Sequence, residues 1–254
     1  KVRILMEQVL RLWYDKPSPN RGRESEERTA KDPDWEQWSL PLGCGHMGLN
    51  IFGRTDTERI QVTENSLANP FRAGVNNFAE ISLEIGHLPD SVKNYERDLV
   101  LEDATAHVRY EKDGITYQRE YFCSYPDKVS VIRLWASQKG ALSLAVEART
   151  PYLRPFGEAE HQGKTGNVRA EDNCITLWGK MEYYQVEYEG QILVQTEGGS
   201  LRTEGARLVV EAADSVLLLI AVGTNYELRP SVFLEEDRTK KLQGNTHPHE
   251  KVSR

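Results

Sequence analysis

From about residue 100 onward, apolar side chains recur at every second position, in runs rich in valine, isoleucine, leucine and aromatic residues. That period sends alternate side chains to opposite faces of an extended chain and predicts half-buried β-strands. The runs are "AHVRYE", "ITYQREYF", "VSVIRLWA", "ALSLAVEA", "CITLWGK", "QVEYE", "ILVQTE", "RLVVEA" and "SVLLLIAVG". Between them Asp113-Gly114, Lys139-Gly140, Glu189-Gly190 and Gly198-Gly199 supply turn chemistry, so the pattern predicts an antiparallel meander. The gaps leave no room for crossover helices of about a dozen residues, which excludes parallel β-α-β units over this half.

Before residue 100, "LNIFG" and "ERIQVTE" read as strands separated by the polar turn "RTDT". Residues 15–39 are polar, proline-bearing and charged, the pattern of a surface loop whose end is anchored by Trp35 and Trp38. A second irregular stretch spans 150–173, and no repeat of solenoid or propeller period appears. After "VGTNYELRP" the alternation stops, leaving a polar segment with one short helix expected around Glu235 to Leu242. This segment reads as a linker toward further polypeptide.

Composition changes this picture mainly by exclusion. With 32 basic and 39 acidic residues among 254, the net charge of -7 argues against a phosphate-tracking surface and hence against nucleic acid as a partner. The longest apolar run, "VLLLIAV" at 216–222, falls far short of the roughly 18 residues a spanning helix needs, so no membrane partner is expected. The start, "KVRILMEQVLRLWYDKP", has neither the apolar stretch nor the small-residue cleavage site of a signal peptide, and lacks an initiator methionine. Cys44, Cys123 and Cys174 are too few and too scattered for a disulfide framework or zinc cluster and read as buried small hydrophobes.

Gly43, Gly45 and Gly48 in "LPLGCGHMGLNIFG" carry the spacing G-x-G-x-x-G, with Glu64 downstream where a dinucleotide site would place its acid. That fingerprint requires a helix opening from the glycines, and strands follow instead, so they read as backbone freedom at the opening of a β-hairpin. No metalloprotease, nucleophile-elbow, P-loop or EF-hand pattern occurs, and no cofactor or metal is expected. His247 and His249 read as solvated linker histidines rather than ligands, and Glu182, Glu187 and Glu189 as a solvated strand face, with Glu187 and Glu189 on one side. Trp135 and Trp178 fall within apolar strands and are expected in the core, although the wealth of aromatics also suits sugar binding. The remaining candidates, His46, Glu58, Arg59, Glu64, Asn65 and Asn69, lie close in sequence on strand ends and turns and are expected to share one edge.

"WSLPLGCGHMGLNIFGRTDTERIQVTENSLANP" resembles the opening of glycoside hydrolase family 95, the α-L-fucosidase family, in which "W-x-x-A-L-P-L-G-N-G-x-L-G-A-M-V-F-G-G" leads to "E-R-I-Q-L-N-E-D-S-L-W". "NYERDLVLEDATAHVRYEKDGITYQREYFCSYPDKVSVIRLWA" is similar to a second segment of that family, and "LRLWYDKPS" and "AVGTNYELRP" fit as well, so the resemblance runs from Leu12 to about Pro230. It implies an all-β fold, a large antiparallel supersandwich over residues 1–228, and over 229–254 a short polar, partly helical linker toward an (α/α)6 barrel absent from this chain. It further implies hydrolysis of terminal α-linked L-fucose or L-galactose with inversion, by an acid and base that lie in the barrel, so no catalytic residue is carried onto this chain. An inverting pair must flank the scissile bond with room for water, and no such pair is identifiable here.

What the resemblance leaves to this chain is a loop facing the barrel, with His46, Glu64 and Asn65 as substrate-binding residues. The implied partners are the parent's C-terminal catalytic barrel and a fucosylated or L-galactose-containing glycan. Exported bacterial enzymes are common in the family, which implies the periplasm or the exterior. Cys44 stands where the family usually has Asn, Thr63 and Asn65 where it often has Asn and Asp, and Ala68 where Trp is typical, departures that bring L-galactose or another L-sugar into the substrate class. A free-standing carbohydrate-binding sandwich is the alternative, and a sandwich without any ligand the third.

Overall fold

In a computed structural model, residues 10–22, 32–68, 75–156 and 162–253 are described. Among the described residues there are seventeen strands: β1 (Arg11–Tyr14), β2 (Leu40–Gly43), β3 (Met47–Ile51), β4 (Thr57–Ala68), β5 (Val75–Glu84), β6 (Lys93–Val100), β7 (Thr105–Lys112), β8 (Ile115–Ser124), β9 (Val129–Ala136), β10 (Leu142–Arg149), β11 (Arg154–Phe156), β12 (Gln162–Glu171), β13 (Cys174–Met181), β14 (Val186–Glu197), β15 (Ser200–Glu204), β16 (Arg207–Ala213) and β17 (Ser215–Thr224). Short helices are α1 (Pro33–Trp38), α2 (Pro230–Leu234) and α3 (Pro248–Val252). The strands form a ten-stranded sheet, β1-β6-β7-β8-β9-β17-β14-β13-β12-β11, and a seven-stranded sheet, β15-β16-β10-β5-β4-β3-β2. Every pairing is antiparallel, and the two sheets face each other as a large sandwich, as the alternation and the resemblance predict.

The inner faces supply the core. Val108, Ile132, Leu134, Leu218 and Ile220 of the larger sheet meet Ile60, Val62, Ile81, Val146 and Leu208 of the smaller, all fully or nearly fully buried. Each such side chain contributes about 1.5–3 kcal/mol by leaving water.

The meander holds only within blocks. β6–β9 and β12–β14 run as neighbours, but the connections through Lys139-Gly140 and Gly198-Gly199 carry the chain from one sheet to the other. Glu189-Gly190 is no turn at all, because β14 runs straight through it. Gly190 is there for room: a Cβ on it would come within 2.8 Å of the Phe78 ring from the facing sheet. The stretch expected to be irregular contains the regular strand β12. Trp135 and Trp178 are not core residues, since their strands alternate with Leu134 and Leu177 pointing inward; Trp178 is 39% exposed.

The polar C-terminal segment also differs from the expectation. Helix lies at α2 and α3, on either side of the 235–242 stretch, and Val232, Leu242, Pro248 and Val252 are buried against the sandwich. Residues 33–38 of the expected surface loop are helix α1, with the Asp32 side chain accepting from the Trp35 amide as its cap. Trp38 packs against Tyr14 as an anchor should, with ring centroids 6.0 Å apart, whereas Trp35 stays exposed. All three cysteines are free, Cys44 buried and the other two half-buried.

Candidate functional site

The turn between β2 and β3 carries Cys44, Gly45 and His46, and β4 returns beside β3 so that Glu64 stands opposite Met47. Strand, turn and strand follow the glycines, with Gly45 at φ +77, and no helix opens to cradle a phosphate. The hairpin reading of that motif holds.

Glu64 is the centre of this end of the sandwich. It is buried, and its Oε2 accepts hydrogen bonds from the amides of Ser66 (2.9 Å) and Leu67 (3.0 Å) and from the Ser66 hydroxyl (2.7 Å). The Ser66 Oγ also lies 2.5 Å from Thr224 Oγ1, which ties the seven-stranded sheet to the end of β17 in the other. Burial pushes the Glu64 carboxyl above its ordinary range, an effect partly offset by Ser66 and by His46.

His46, 28% exposed at its side chain, connects this group to the surface. Its Nε2 lies 2.8 Å from the Val222 carbonyl, which can only accept, so Nε2 carries hydrogen. Its Nδ1 then faces Glu64 Oε1 at 3.5 Å, and the two atoms attract only if one of them holds a proton. The imidazole thus spans from the Val222 carbonyl of one sheet to the Glu64 carboxyl of the other, at a partly open edge. Among the described residues no group of three or more His, Cys, Asp or Glu is placed to hold a metal.

Asn65 is exposed but committed: its Nδ2 donates to the Gly45 carbonyl (2.8 Å) and its amide to the His46 carbonyl (3.1 Å), clamping the turn. The structure thus brings His46, Glu64 and Asn65 together. It separates them from Glu58 and Arg59, six and five residues back along β4 and so about 20 and 16 Å away at the strand's rise. Asn69 lies outside the described residues.

Glu58 belongs instead to a knot between the sheets. Its Oε1 accepts from the amides of Phe52, Gly53 and Arg59, and its Oε2 from Arg119 Nη1 (2.6 Å) and Tyr121 Oη (3.0 Å). The carbonyls of the same turn are met from the other sheet: Phe52 by Arg97 Nη1 (2.7 Å), Gly53 by Tyr95 Oη (2.5 Å) and Arg54 by Arg119 Nη2 (2.7 Å). Among the described residues Arg97 reaches no carboxylate, and its guanidinium stacks 4.2 Å from the Tyr14 ring centroid. "FGRTDTER", "NYER" and "YQREY", three of the most marked stretches of the sequence, are thus one structural joint. Arg59 faces outward, held by Asp32 (2.7 Å) and Glu80 (2.9 Å).

The C-terminal segment packs beside the site, on the ends of β14 and β17. Lys251 on α3 donates to the carbonyls of Thr224 (2.7 Å) and Tyr226 (3.1 Å), and burial lowers its ammonium's pKa while Glu227 and Glu64 oppose that effect. His249 Nδ1 meets Glu189 Oε1 at 2.7 Å, and His247 lies 3.7 Å from Glu187, so these histidines and glutamates are paired rather than merely solvated, and Glu189 is buried. Ser66, Thr224 and Lys251 were missed at the sequence level. The "AVGTN" and "TENS" stretches hold the first two, but only the register shows that they meet.

Comparison with known proteins now bears on this geometry. A sequence profile described as "Glycosyl hydrolase family 65, N-terminal domain" matches residues 68–229. The chain belongs to that family. "Alpha-L-fucosidase 2" of Arabidopsis thaliana is 23% identical over 250 residues, covering 74% of this chain and 29% of the relative. "Probable alpha-fucosidase A" of Aspergillus niger is 26% identical over 226 residues, covering 85% of this chain and 25% of the relative. A solved structure from the human microbiome, provisionally named a kojibiose phosphorylase, aligns with a TM-score of 0.43 at 10% identity, covering 72% of this chain and 30% of that one. This is a fucosidase-like glycoside hydrolase N-terminal domain. The domain spans less than a third of the length of its curated relatives. The profile match starts at the last residue of β4, so it contains Val222 and Thr224 but not His46, Glu64 or Asn65.

Proposed function

We propose that the chain is the N-terminal sandwich of a longer exo-glycosidase of the family 95 type, which releases terminal α-linked L-fucose or L-galactose with inversion. The observation that carries this reading is the match to two proteins named as fucosidases along most of this chain and only a quarter or so of theirs. On this reading residues 1–228 are the sandwich and 229–254 the linker toward a catalytic barrel, which is the domain's partner. The acid and base lie in that barrel. His46, Glu64 and Asn65 form an edge that orients sugar hydroxyls, with Glu64 holding the imidazole and Asn65 holding the turn.

Two measurements test this. The 254-residue chain, assayed on aryl α-L-fucoside and aryl α-L-galactoside, should give no turnover, while the complete gene product should hydrolyse one of them. Comparable turnover by the chain alone would place the chemistry inside it and overturn the reading.

In the complete product, His46→Ala should lower kcat/KM by about ten- to a hundredfold, the range expected when a substrate group is slightly misplaced. Because the ring is partly exposed and makes a single short hydrogen bond, the same change should lower the melting temperature by no more than a few degrees. Unchanged kcat/KM would make the turn purely structural.

A further inference from the structure

β17 carries "VLLLIAV", and an apolar run of that kind marks a strand covered on both faces. Val216, Leu218, Ile220 and Val222 fill the core. Leu217, Leu219 and Ala221 point the other way, out of the ten-stranded sheet, and are only half-buried. Register extends this outward row across five strands: Phe122 on β8, Val131 on β9, Leu219 on β17, Leu193 on β14 and Cys174 on β13 stand successively opposite one another. With strands about 4.8 Å apart, the row is about 20 Å long. The outer face of the seven-stranded sheet is its opposite, carrying Asn50, Gln61, Arg59 and Glu80.

The cover of this apolar face has begun within the chain. α3 lies on it, with Pro248, Lys251 and Val252 over Gly223, and His249 on Glu189. Glu189 and Gly223 are an opposed pair, and the next apolar pair along the same two strands, two same-face steps on, is Leu193 and Leu219.

We propose that the outer face of the ten-stranded sheet is an interdomain interface whose occupant is an apolar layer of the same polypeptide, continuing the cover that α3 starts. This rests on the reading of the chain as one domain of a longer glycosidase. The occupant presents aliphatic and aromatic side chains to the Phe122–Cys174 row, since a charge seated over Leu219 would lose its water without gaining a partner. Charged groups belong at the margin, where exposed Arg133 stands opposite Glu120 and lies over Trp135.

Cys174 is a native reporter at one end of the row. Its maleimide labelling, located by peptide mapping, should be at least tenfold slower in the complete gene product than in the 254-residue chain. Leu193→Glu/Leu219→Glu should leave the chain folded, but should split the unfolding of the complete product into two transitions; should this pair fail to fold, the wild-type labelling comparison still decides. Equal labelling in both proteins, with the wild-type product active on aryl α-L-fucoside, would overturn the interface and leave the function standing. A protected Cys174 in an inactive product would do the reverse. Protection that varies with protein concentration, together with a dimer in sedimentation, would make a second copy the occupant and overturn the proposal.

Discussion

Glu58→Ala should be the most damaging single substitution outside the hydrophobic core, costing about 3–5 kcal/mol of folding stability, the range for removing one partner of a buried ion pair. Glu58 and Arg119 are both essentially inaccessible to solvent, and Arg97, equally buried, brings a second guanidinium with no carboxylate of its own. Loss of the carboxylate would leave the Arg119 guanidinium, the Tyr121 hydroxyl and the Gly53 amide without their common acceptor, and Arg97 without a nearby negative charge. For a domain of this size the melting temperature should fall by roughly 10 °C or more. The double substitution Glu58→Met/Arg119→Met should cost less than the two singles added together, because it removes the desolvated pair as a unit. Additive losses, measured by urea denaturation, would refute the joint.

The second large effect is on the pH dependence of stability. Lys164 is buried, donates from Nζ to the carbonyls of Asn77 (2.7 Å) and Pro151 (2.9 Å), and burial pushes its pKa down to about 7, with Glu80 opposing. An unfolded lysine titrates near pKa 10.4. Between those two values the unfolded chain holds a proton that the folded chain does not, so stability should rise with pH across that window, by at most about 1.4 kcal/mol per unit. Lys164→Met should flatten this slope and stabilise the chain at pH 7 relative to the native residue. Denaturation of both proteins at pH 7, 8, 9 and 10 checks it, and parallel curves would show that Lys164 does not carry the dependence.

The alternation of β7, β8, β9, β13, β16 and β17 was legible because each has one face in the core and keeps period two over most of its length. β5 was not, for a physical reason: its register against β4 shifts between Val62 and Thr63, so Phe78 and Ala79 are both buried and the alternation stumbles. β1, β2 and β15 are short edge strands, with too few residues to show a period. At the site, His46, Glu64 and Asn65 could be read because two adjoining strands put them near in sequence. Thr224 and Lys251 could not, since they arrive from more than 150 residues away. Glu58 misled for the opposite reason: proximity along a strand is distance in space.

The weaving of the chain between its sheets has a consequence for how the domain can be cut. β1 begins in the larger sheet, β2–β5 build the smaller, and β10, β15 and β16 return to it from the other side. A fragment trimmed to the profile match at 68–229 would discard β2 and β3 and all but the last residue of β4, exposing β5 as a raw edge with Ile81 and Leu83 opened to water. A fragment cut at that profile's boundaries should therefore aggregate. The smallest portion that can be expressed, inherited or grafted intact begins upstream of β2 and carries the turn of His46 with it.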